Sequence, residues 1–558
     1  MADDRQRRIL KVFRKFSYSI GPEVSQKLEE ILDHHDIADE DVESTMETLA
    51  LEYSKQEDVD MKVNLSILHR VYESLQDQNE RVDMEKELID PDSHLFIIDA
   101  FDMPLWHWSQ ESGTFTRVTT PLTVSGSPES RILAIRDRLN IIKQCVLRNE
   151  HFAPSTLPSR DKERLVTLKS TKQLLGRAGD RFLLLGMLSH NKEGKLCIED
   201  SDGSVELDFS KLDEPGDGLF TEGCFALVEG EYTEEATLEI IAIGQPPCEP
   251  RETSRSIYGH IDFLGKGSTS LLEDSRFSVR IREELPDLHF FFLSDVWLDQ
   301  PQTLIGIQKM FDNCVENNFI PKLIVLCGNF TRQSISHGNS RDIQSYSENF
   351  DALADLIVSY PLITRSTHFV FVPGPLDITV NGTLPRHHLL LSLVSRLQSR
   401  IPKVHFATNP CRIKFFDQEI VIFREDTMSR MLRNVVGVKP NVNSENLKRF
   451  LVQTILDQAH LSPLTINIQP TLADYDHSLR LYPLPTAVSL QITKTLMLHF
   501  IPFMQLVLAD KYDRYKITYT GCHVFNPGSF IGNSFVFSTY KPAEANSEEC
   551  ILDMDPEE

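Results

Sequence analysis

The C-terminal half of the chain reads Phe290-Phe291-Phe292-Leu293-Ser294-Asp295-Val296-Trp297, then Leu323-Ile324-Val325-Leu326-Cys327-Gly328-Asn329, then His368-Phe369-Val370-Phe371-Val372-Pro373-Gly374-Pro375-Leu376-Asp377. Each stretch is an apolar run that stops at Asp, or at Gly followed by a small or polar residue. In open α/β sheets, ligand sites lie just beyond the carboxyl ends of the strands. These three ends therefore predict the position of a functional site.

From residue 289 onward, apolar runs alternate with helical stretches at residues 351–360, 389–398 and 446–457. Such alternation predicts an α/β domain over residues 289–545, with helices covering its sheet on both faces. A two-metal hydrolase would place Asp, Asn and His ligands at several of these strand ends, with its ions about 3.5–4 Å apart. A bridging carboxylate is central to such a site, because it offsets the repulsion between two dications.

These strand ends resemble the calcineurin-like metallophosphoesterase family, whose motifs run DxH, GDxxD, GNH(D/E), a lone His, and GHxH. The resemblance implies a vestigial metal pocket at Asp295, Trp297, Asn329, Asp377, His460 and Asp510. Trp297 stands where the first motif has His, and the neutral Asn329 stands where the second should have the bridging Asp. Leu376 replaces the catalytic His, and Lys511 adds a positive charge beside Asp510. We therefore expect a pseudo-phosphoesterase with no catalytic residue, no metal and no cofactor.

Outside the barrel region, the rest of the sequence predicts five further structural regions. Residues 1–75 read as a helical bundle, because Val42, Met46 and Leu49 repeat at helical spacing, as do apolar residues before and after them. A charged linker follows at 76–92, and a connecting strand and helix at 93–160, the helix burying a stripe from Ile132 to Val146. We expect a second linker at 251–288 to pack on the phosphoesterase-like domain, and an acidic tail at 546–558.

Residues 161–250 contain short strands separated by turns, at 182–188, 195–199, 205–209, 224–229 and 237–243. Five strands at this spacing predict an OB-fold barrel. OB-folds often bind single strands through a basic groove, but residues 176–247 contain five Lys and Arg against sixteen Asp and Glu. The barrel therefore favours a structural or protein-binding role. The fold class we predict is α+β multidomain: helical bundle, OB-fold β-barrel and two-layer calcineurin-like sheet core.

Composition excludes some classes of function. The formal net charge of −25 argues against non-specific duplex binding, which depends on Lys and Arg neutralising phosphates. The nine cysteines are scattered without a CxxC pair, which fits a reducing compartment and argues against a zinc finger.

An acidic OB barrel followed by a disabled phosphoesterase domain resembles the B-subunit family of eukaryotic replicative DNA polymerases, and within it the DNA polymerase epsilon branch. The segments that carry this resemblance are 292–299, 326–330, 369–375, 408–413, 421–426 and 509–513. The resemblance implies a nuclear, non-catalytic scaffold that binds the C-terminal zinc-finger region of the catalytic subunit of DNA polymerase epsilon. It also implies contact with the GINS/replicative helicase assembly through an N-terminal domain similar to the lid of AAA+ ATPases. Small histone-fold subunits would belong to the same complex, DNA would be met only through the complex, and no membrane would be involved.

Two other functions remain open from the residues alone. One is an active metal-dependent phosphodiesterase or 3′–5′ nuclease with a degraded metal site, and the other is a free single-strand binding protein that uses the OB barrel. Intact DxH and GNH motifs would favour the first, and a basic barrel surface would favour the second.

Residues 488–505 interrupt the spacing that the B-subunit family shows between Ala487 and Leu506. The stretch is too short and too often interrupted for a membrane span. Val488-Ser489 can be encoded by a splice-donor sequence and the Gln505 codon by a splice-acceptor sequence, so a retained intron is one hypothesis and a genuine surface loop the other. Sequencing of the transcript across this junction distinguishes them.

Overall fold

The computed structural model describes residues 2–16, 18–34, 41–54, 61–72, 90–152, 167–212, 214–335, 339–380, 382–438, 444–491, 514–532 and 535–553. The chain divides into two units. The first comprises Met1–Leu95, Glu252–Pro286 and Phe415–Asp417, and the second Phe96–Arg251, Asp287–Lys414 and Gln418–Glu558.

In the described residues, helices α1 to α13 span Ala2–Lys15, Pro22–His34, Val42–Ser54, 65–72, Pro128–Arg148, Arg251–Tyr258, Leu271–Glu284, Pro301–Glu316, Ser340–Val358, Pro361–Ser366, Ser395–Arg400, Thr427–Arg433 and Ser444–Asp457. Strands β1 to β20 span Leu95–Asp99, Trp106–Ser109, Thr114–Arg117, Leu168–Lys169, Arg181–His190, Leu196–Glu199, Ser204–Asp208, Phe225–Tyr232, Thr237–Gly244, Phe290–Leu293, Leu323–Cys327, His368–Val372, Val404–Phe406, Cys411–Phe415, Gln418–Arg424, Ala487–Gln491, Tyr515–Tyr519, Cys522–Asn526, Val536–Lys541 and Asn546–Ile551. Two short 3-10 helices cover Thr171–Leu174 and Ala473–Leu479.

The first unit is built on helices α1 to α4, whose apolar faces form one core. Phe13, Leu28, Met46 and Tyr53 are fully buried in it, as helical spacing predicts. Leu65 is exposed, unlike those four residues, and it is the first residue of α4.

Helices α6 and α7 also belong to this unit, apart from Arg251, which is grouped with the second unit. Residues 252–286 are thus grouped with the helical bundle, and the packing of 251–288 on the phosphoesterase-like domain stays a prediction. The aromatic ring of Phe16, at the end of α1, lies 5.0 Å from the ring of His260, just after α6. Local contacts of this kind hold the segment against the bundle.

Two six-stranded sheets form the centre of the second unit. One has the order β13-β12-β11-β10-β19-β20, and the other β1-β14-β15-β16-β18-β17. Strands β10 to β13 run parallel, as do β15, β16 and β18. The sheets contact each other through Phe292 and Phe525, whose ring centroids are 5.2 Å apart. Because parallel strands end at one edge, the carboxyl ends of β10, β11 and β12 meet there.

The barrel of the second unit has the strand order β4-β5-β6-β7-β9-β8, and a further pairing of β5 with β8 closes it. Its five longer strands follow the predicted segments closely. Burial alternates along β7 and the first half of β9, whereas β5 and β8 contain runs of four or five buried residues. Leu184, Ile198, Val228 and Leu238 are among the side chains that fill its interior.

Gln458, directly after α13, joins the barrel to the sheets. Its side chain is fully buried and makes the pair of hydrogen bonds to Phe225 that a neighbouring strand would make. Nε2 donates to the Phe225 carbonyl at 2.6 Å, and Oε1 accepts from the Phe225 N–H at 2.7 Å. Nε2 also donates to Oε1 of Gln245 at 2.8 Å. Nearby, Oγ1 of Thr454 accepts from the Leu219 N–H at 2.8 Å. These buried polar contacts leave little freedom for the barrel to rotate on α13.

Two further expectations change. On α5, Ile132 is 49% exposed and the buried residues are Ile141, Ile142, Cys145 and Val146, because only the second half of this helix lies against the barrel core. Residues 546–551 form strand β20 rather than a free acidic tail.

Residues 488–491, the start of the proposed insertion, form most of β16 between β15 and β18. The rest of that insertion, residues 492–505, lies outside the described residues. None of the helices in the described part of the chain is long and apolar enough to cross a membrane.

Replacing Gln458 with Ala is expected to lower the stability of the second unit by about 3 kcal/mol, because the Phe225 N–H and carbonyl lose their buried partners. We expect a lower thermal midpoint together with faster amide hydrogen exchange at Phe225. Gln398→Ala, at an exposed position on α11, is the matched control and should change neither. Unchanged exchange at Phe225 in Gln458→Ala would show that the barrel is held by other contacts.

Candidate functional site

The three predicted strand ends lie side by side. β10 pairs with β11 and β11 with β12, both in parallel register. Asp295 and Asn329 each follow their strand by two residues, and Asp377 follows β12 by five. The side chains of all three are buried, so they form a closed site in which each polar atom needs a partner.

Backbone N–H groups hold the carboxylate of Asp377. Oδ1 accepts from the Phe330 N–H at 2.8 Å and Oδ2 from the Gly374 N–H at 2.7 Å, and the hydroxyl of Tyr346 donates to Oδ1 at 3.3 Å. Burial raises the pKa of Asp377 to about 6, although these N–H donors act in the opposite direction. A Cβ atom at Gly328 would lie 1.9 Å from Oδ2, so only glycine fits there.

Arg424, the last residue of β15, brings a positive charge to the site from the other sheet. Its side chain is fully buried. Nη2 lies 2.5 Å from Oδ1 of Asp295, and Nε donates to the Gly328 carbonyl at 2.5 Å. Burial raises the pKa of Asp295, and the guanidinium opposes that rise. Asn409 fixes the strand end, since its Oδ1 accepts from the Arg424 N–H at 3.0 Å.

The donor set does not fit a pair of metal ions. An oxygen of Asp295 is bound to Arg424, both oxygens of Asp377 accept N–H bonds, and Oδ1 of Asn329 accepts from the Leu376 N–H at 2.9 Å. The guanidinium also brings a fixed positive charge against any second cation. Among the described residues, no group of three or more His, Cys, Asp or Glu is arranged to hold a metal ion.

Two family models match the chain. One, described as the B subunit of DNA polymerase alpha/epsilon, covers residues 290–493, and another, described as DNA polymerase epsilon subunit 2-like, OB-fold domain, covers residues 128–247. DNA polymerase epsilon subunit 2 of Homo sapiens is 38% identical over 470 residues, covering 82% of this chain and 84% of the relative. The chain belongs to the family of DNA polymerase epsilon B subunits.

Other members of this B-subunit family are similar over comparable lengths. DNA polymerase epsilon subunit 2 of Bos taurus is 34% identical over 567 residues, covering 99% of both chains. The DNA polymerase epsilon B subunit of Schizosaccharomyces pombe is 34% identical over 466 residues, covering 80% of this chain and 74% of the relative. The predicted family is thereby confirmed, and the OB-fold prediction agrees with the match to residues 128–247.

The imidazole of His460 is buried beside the carboxylate of Asp476. Its Nε2 lies 3.3 Å from Oδ1 of Asp476, and its Nδ1 accepts from the Ser462 N–H at 3.1 Å. Burial lowers the pKa of His460. Burial alone would raise the pKa of Asp476, but His460 and neighbouring arginines lower it to about 2. These side-chain contacts do not include Asp295, Asn329 or Asp377, and the placement of His460 in the vestigial pocket stays a prediction. Asp510 and Lys511 lie outside the described residues.

Trp297 and Leu376 are half-buried, so an indole and a leucine do not by themselves close the site. The closing group is Arg424, which motif comparison overlooked because the family motifs contain no arginine on this strand. A signal was present, since Arg424-Glu425-Asp426 ends an otherwise apolar run, Ile420 to Phe423. A charge at the end of a buried strand requires a partner, but the sequence alone does not identify Asp295 as that partner.

Replacing Asp377 with Asn turns an amide NH₂ toward a backbone N–H, because one of the two accepting oxygens is lost. We expect a loss of about 2–3 kcal/mol in the free energy of unfolding, measured by denaturant titration of the full chain. Asp217→Asn, at an exposed barrel position, is the control and should leave stability unchanged.

The effect of Asp377→Asn should depend on pH. The folded-state pKa of about 6 lies above the ordinary value of 3.8, so the folded protein binds this proton more tightly than the unfolded chain. The contribution of Asp377 to the free energy of unfolding is then fully present below about pH 4. It falls by about 3 kcal/mol as pH rises through 6. The stability difference between wild type and Asp377→Asn should shrink over that range, and a constant difference would contradict the raised pKa.

Proposed function

We propose that this chain is the non-catalytic accessory and scaffold subunit of the DNA polymerase epsilon holoenzyme. In this role it binds the C-terminal region of the catalytic subunit and links it to the replicative helicase assembly, GINS included, in nuclear DNA replication. The observation that carries the proposal is the strand-end site of a B-subunit family member, in which Arg424 and backbone N–H groups take up the carboxylates that a hydrolase needs for its metals. The phosphoesterase-like domain is proposed to serve as a pseudo-enzyme platform.

The barrel is the surface that we propose for the catalytic subunit. It carries a groove of about 380 Å³ lined by residues that include Phe152, Leu183 and Leu227. Ile241, on the same strand as other lining residues, is 41% exposed, and exposed apolar residues beside a groove are common at protein interfaces. The acidic barrel composition favours a basic or neutral protein partner over a nucleic-acid strand.

The segment 405–426, which is rich in apolar and aromatic residues, is largely internal. Its strands β14 and β15 are central in their sheet, and Ile413, Ile420 and Val421 are fully buried. Interface contacts from this part of the chain would have to come from its ends.

Co-expression of the full chain with the catalytic chain, followed by affinity capture and mass spectrometry, tests the scaffold role. We expect recovery of the catalytic chain, and several-fold weaker recovery with Ile241→Asp, because a carboxylate would be desolvated at the interface. Leu391→Asp is the matched control, since Leu391 has the same 41% exposure outside the barrel. Recovery of no catalytic chain with the unchanged protein would reject the proposal.

The pseudo-enzyme role has its own test. Purified wild-type protein with millimolar Mn²⁺ is expected to cleave a phosphodiester reporter no faster than buffer does, because the carboxylate oxygens are already bound. Asp295→Ala should give the same rate. Metal-dependent cleavage that Asp295→Ala abolishes would instead favour the alternative function, an active phosphodiesterase or 3′–5′ nuclease.

A further inference from the structure

We propose that Arg424 is the resident cation of the strand-end site. Its guanidinium occupies the place between the two sheets that suits a divalent cation, and the same oxygen atoms will bind such a cation once the side chain is removed. The proposal concerns the chemistry of this site alone and does not depend on the scaffold role.

The first argument is geometric. Arg424 ends β15 of one sheet, while Asp295 and Gly328 follow β10 and β11 of the other. A single guanidinium contacts both, at 2.5 Å to the Asp295 carboxylate and 2.5 Å to the Gly328 carbonyl. It therefore joins oxygen atoms from two adjacent strand ends to a strand of the facing sheet, as a metal ion with ligands from several strands would.

The second argument is electrostatic. Asp295 and Asp377 are both buried, and the positive charge of Arg424 favours the ionised form of each. An ionised carboxylate in a closed interior needs a compensating charge or hydrogen bonds. Removing the guanidinium leaves Asp295 with hydrogen bonds from the Asn329 N–H and the Ser529 hydroxyl but without the opposite charge of Arg424, which creates a demand for a cation at that position.

The third argument concerns ligand chemistry. Without Arg424, the atoms facing the emptied space include the carboxylate of Asp295 and the carbonyl of Gly328. These are hard oxygen donors, the type that Mg²⁺, Ca²⁺ and Mn²⁺ prefer, and water can complete the coordination shell. Asp377 remains held by backbone N–H groups, so the expected guest is a single ion and not a pair.

The experiment compares full-length wild type, Arg424→Ala and the double variant Arg424→Ala/Asp295→Asn by thermal melting in chelator and in millimolar Mn²⁺. In chelator, Arg424→Ala should melt about 10 °C below wild type, because it leaves a buried charge unpaired. Mn²⁺ should raise the melting temperature of Arg424→Ala by several degrees and should leave that of wild type and of the double variant unchanged.

Arg386→Ala is the matched control. Arg386 is also buried, in an ion pair of 2.9 Å with Glu425, but Glu425 keeps a second cation, Arg430, at 3.0 Å. This variant should melt lower than wild type and should not respond to Mn²⁺. An equal Mn²⁺ response in Arg386→Ala would show general ion binding and would overturn the proposal.

Terbium luminescence gives a readout that a purely structural role of Arg424 would not change. Trp297 lies two residues beyond Asp295, so an ion held by Asp295 should be sensitised by its indole. We expect indole-excited Tb³⁺ emission from Arg424→Ala, background emission from wild type, and loss of the signal with Trp297→Phe in the variant. Absence of emission from folded Arg424→Ala would overturn the proposal.

If Arg424→Ala yields no folded protein, Arg424→Met, which keeps the aliphatic stem, is measured in the same way. Failure of both variants to fold in millimolar Mn²⁺ would also contradict the proposal, because the bound ion should restore the missing charge.

Discussion

The contact of Arg424 with Asp295 and the Gly328 carbonyl is the interaction on which the centre of the second unit depends. One fully buried guanidinium meets the carboxyl ends of β10 and β11 from the end of β15 in the facing sheet. Breaking a buried ion pair from one side is costly, because the remaining charge stays in a low-dielectric interior. The pair therefore fixes how the two sheets meet at this edge, and the loops after the strands are arranged around it.

The loops that follow β11 and β12 depend on the same charge balance. The charge of Arg424 lowers the pKa of Asp377. The Asp377 carboxylate in turn holds the turns after β11 and β12 by accepting hydrogen bonds from the Phe330 and Gly374 N–H groups. Farther away, Gln458 ties the barrel to the same domain through Phe225 with neutral hydrogen bonds. Buried polar groups thus act at two places in this unit: Arg424 between the two sheets, and Gln458 between α13 and the barrel. In both places their directional hydrogen bonds specify the relative orientation of the elements better than apolar packing does.

Short strands with a clear period were predictable from the sequence. The barrel strands β5 to β9 and the runs that became β10, β11 and β12 follow the expected segments, because burial of alternate or of all side chains leaves a direct mark on composition. Helical periodicity was less informative about which elements a helix packs against. It defines an apolar face on α5, yet Ile132 on that face is exposed. The sequence does not show how far along the helix the contact with the barrel extends. The grouping of α6 and α7 with the first four helices was missed for the same reason.

The candidate site shows this limit most clearly. Asp295, Asn329 and Asp377 were predictable because they follow recognisable strands, whereas Arg424 meets Asp295 across 129 residues of chain. A pairing between strand ends of two sheets depends on the packing of those sheets, which periodicity within one strand does not encode. The motif positions therefore located three strand-end side chains that lie close together, but not the group that balances their charge.

A covalently attached cation has a physical consequence that a bound metal does not have. The stability supplied by a dissociable ion varies with its free concentration relative to its dissociation constant, whereas the guanidinium of Arg424 is covalently attached and cannot dissociate from the site. The contact that Arg424 makes between the two sheets is therefore independent of the concentration of free cations. Such constancy has no value for metal-assisted hydrolysis, which requires open coordination positions, but it suits a protein whose surface must keep one shape while other chains assemble on it. The proposed platform role therefore has a physical argument in Arg424 itself, separate from any comparison of motifs.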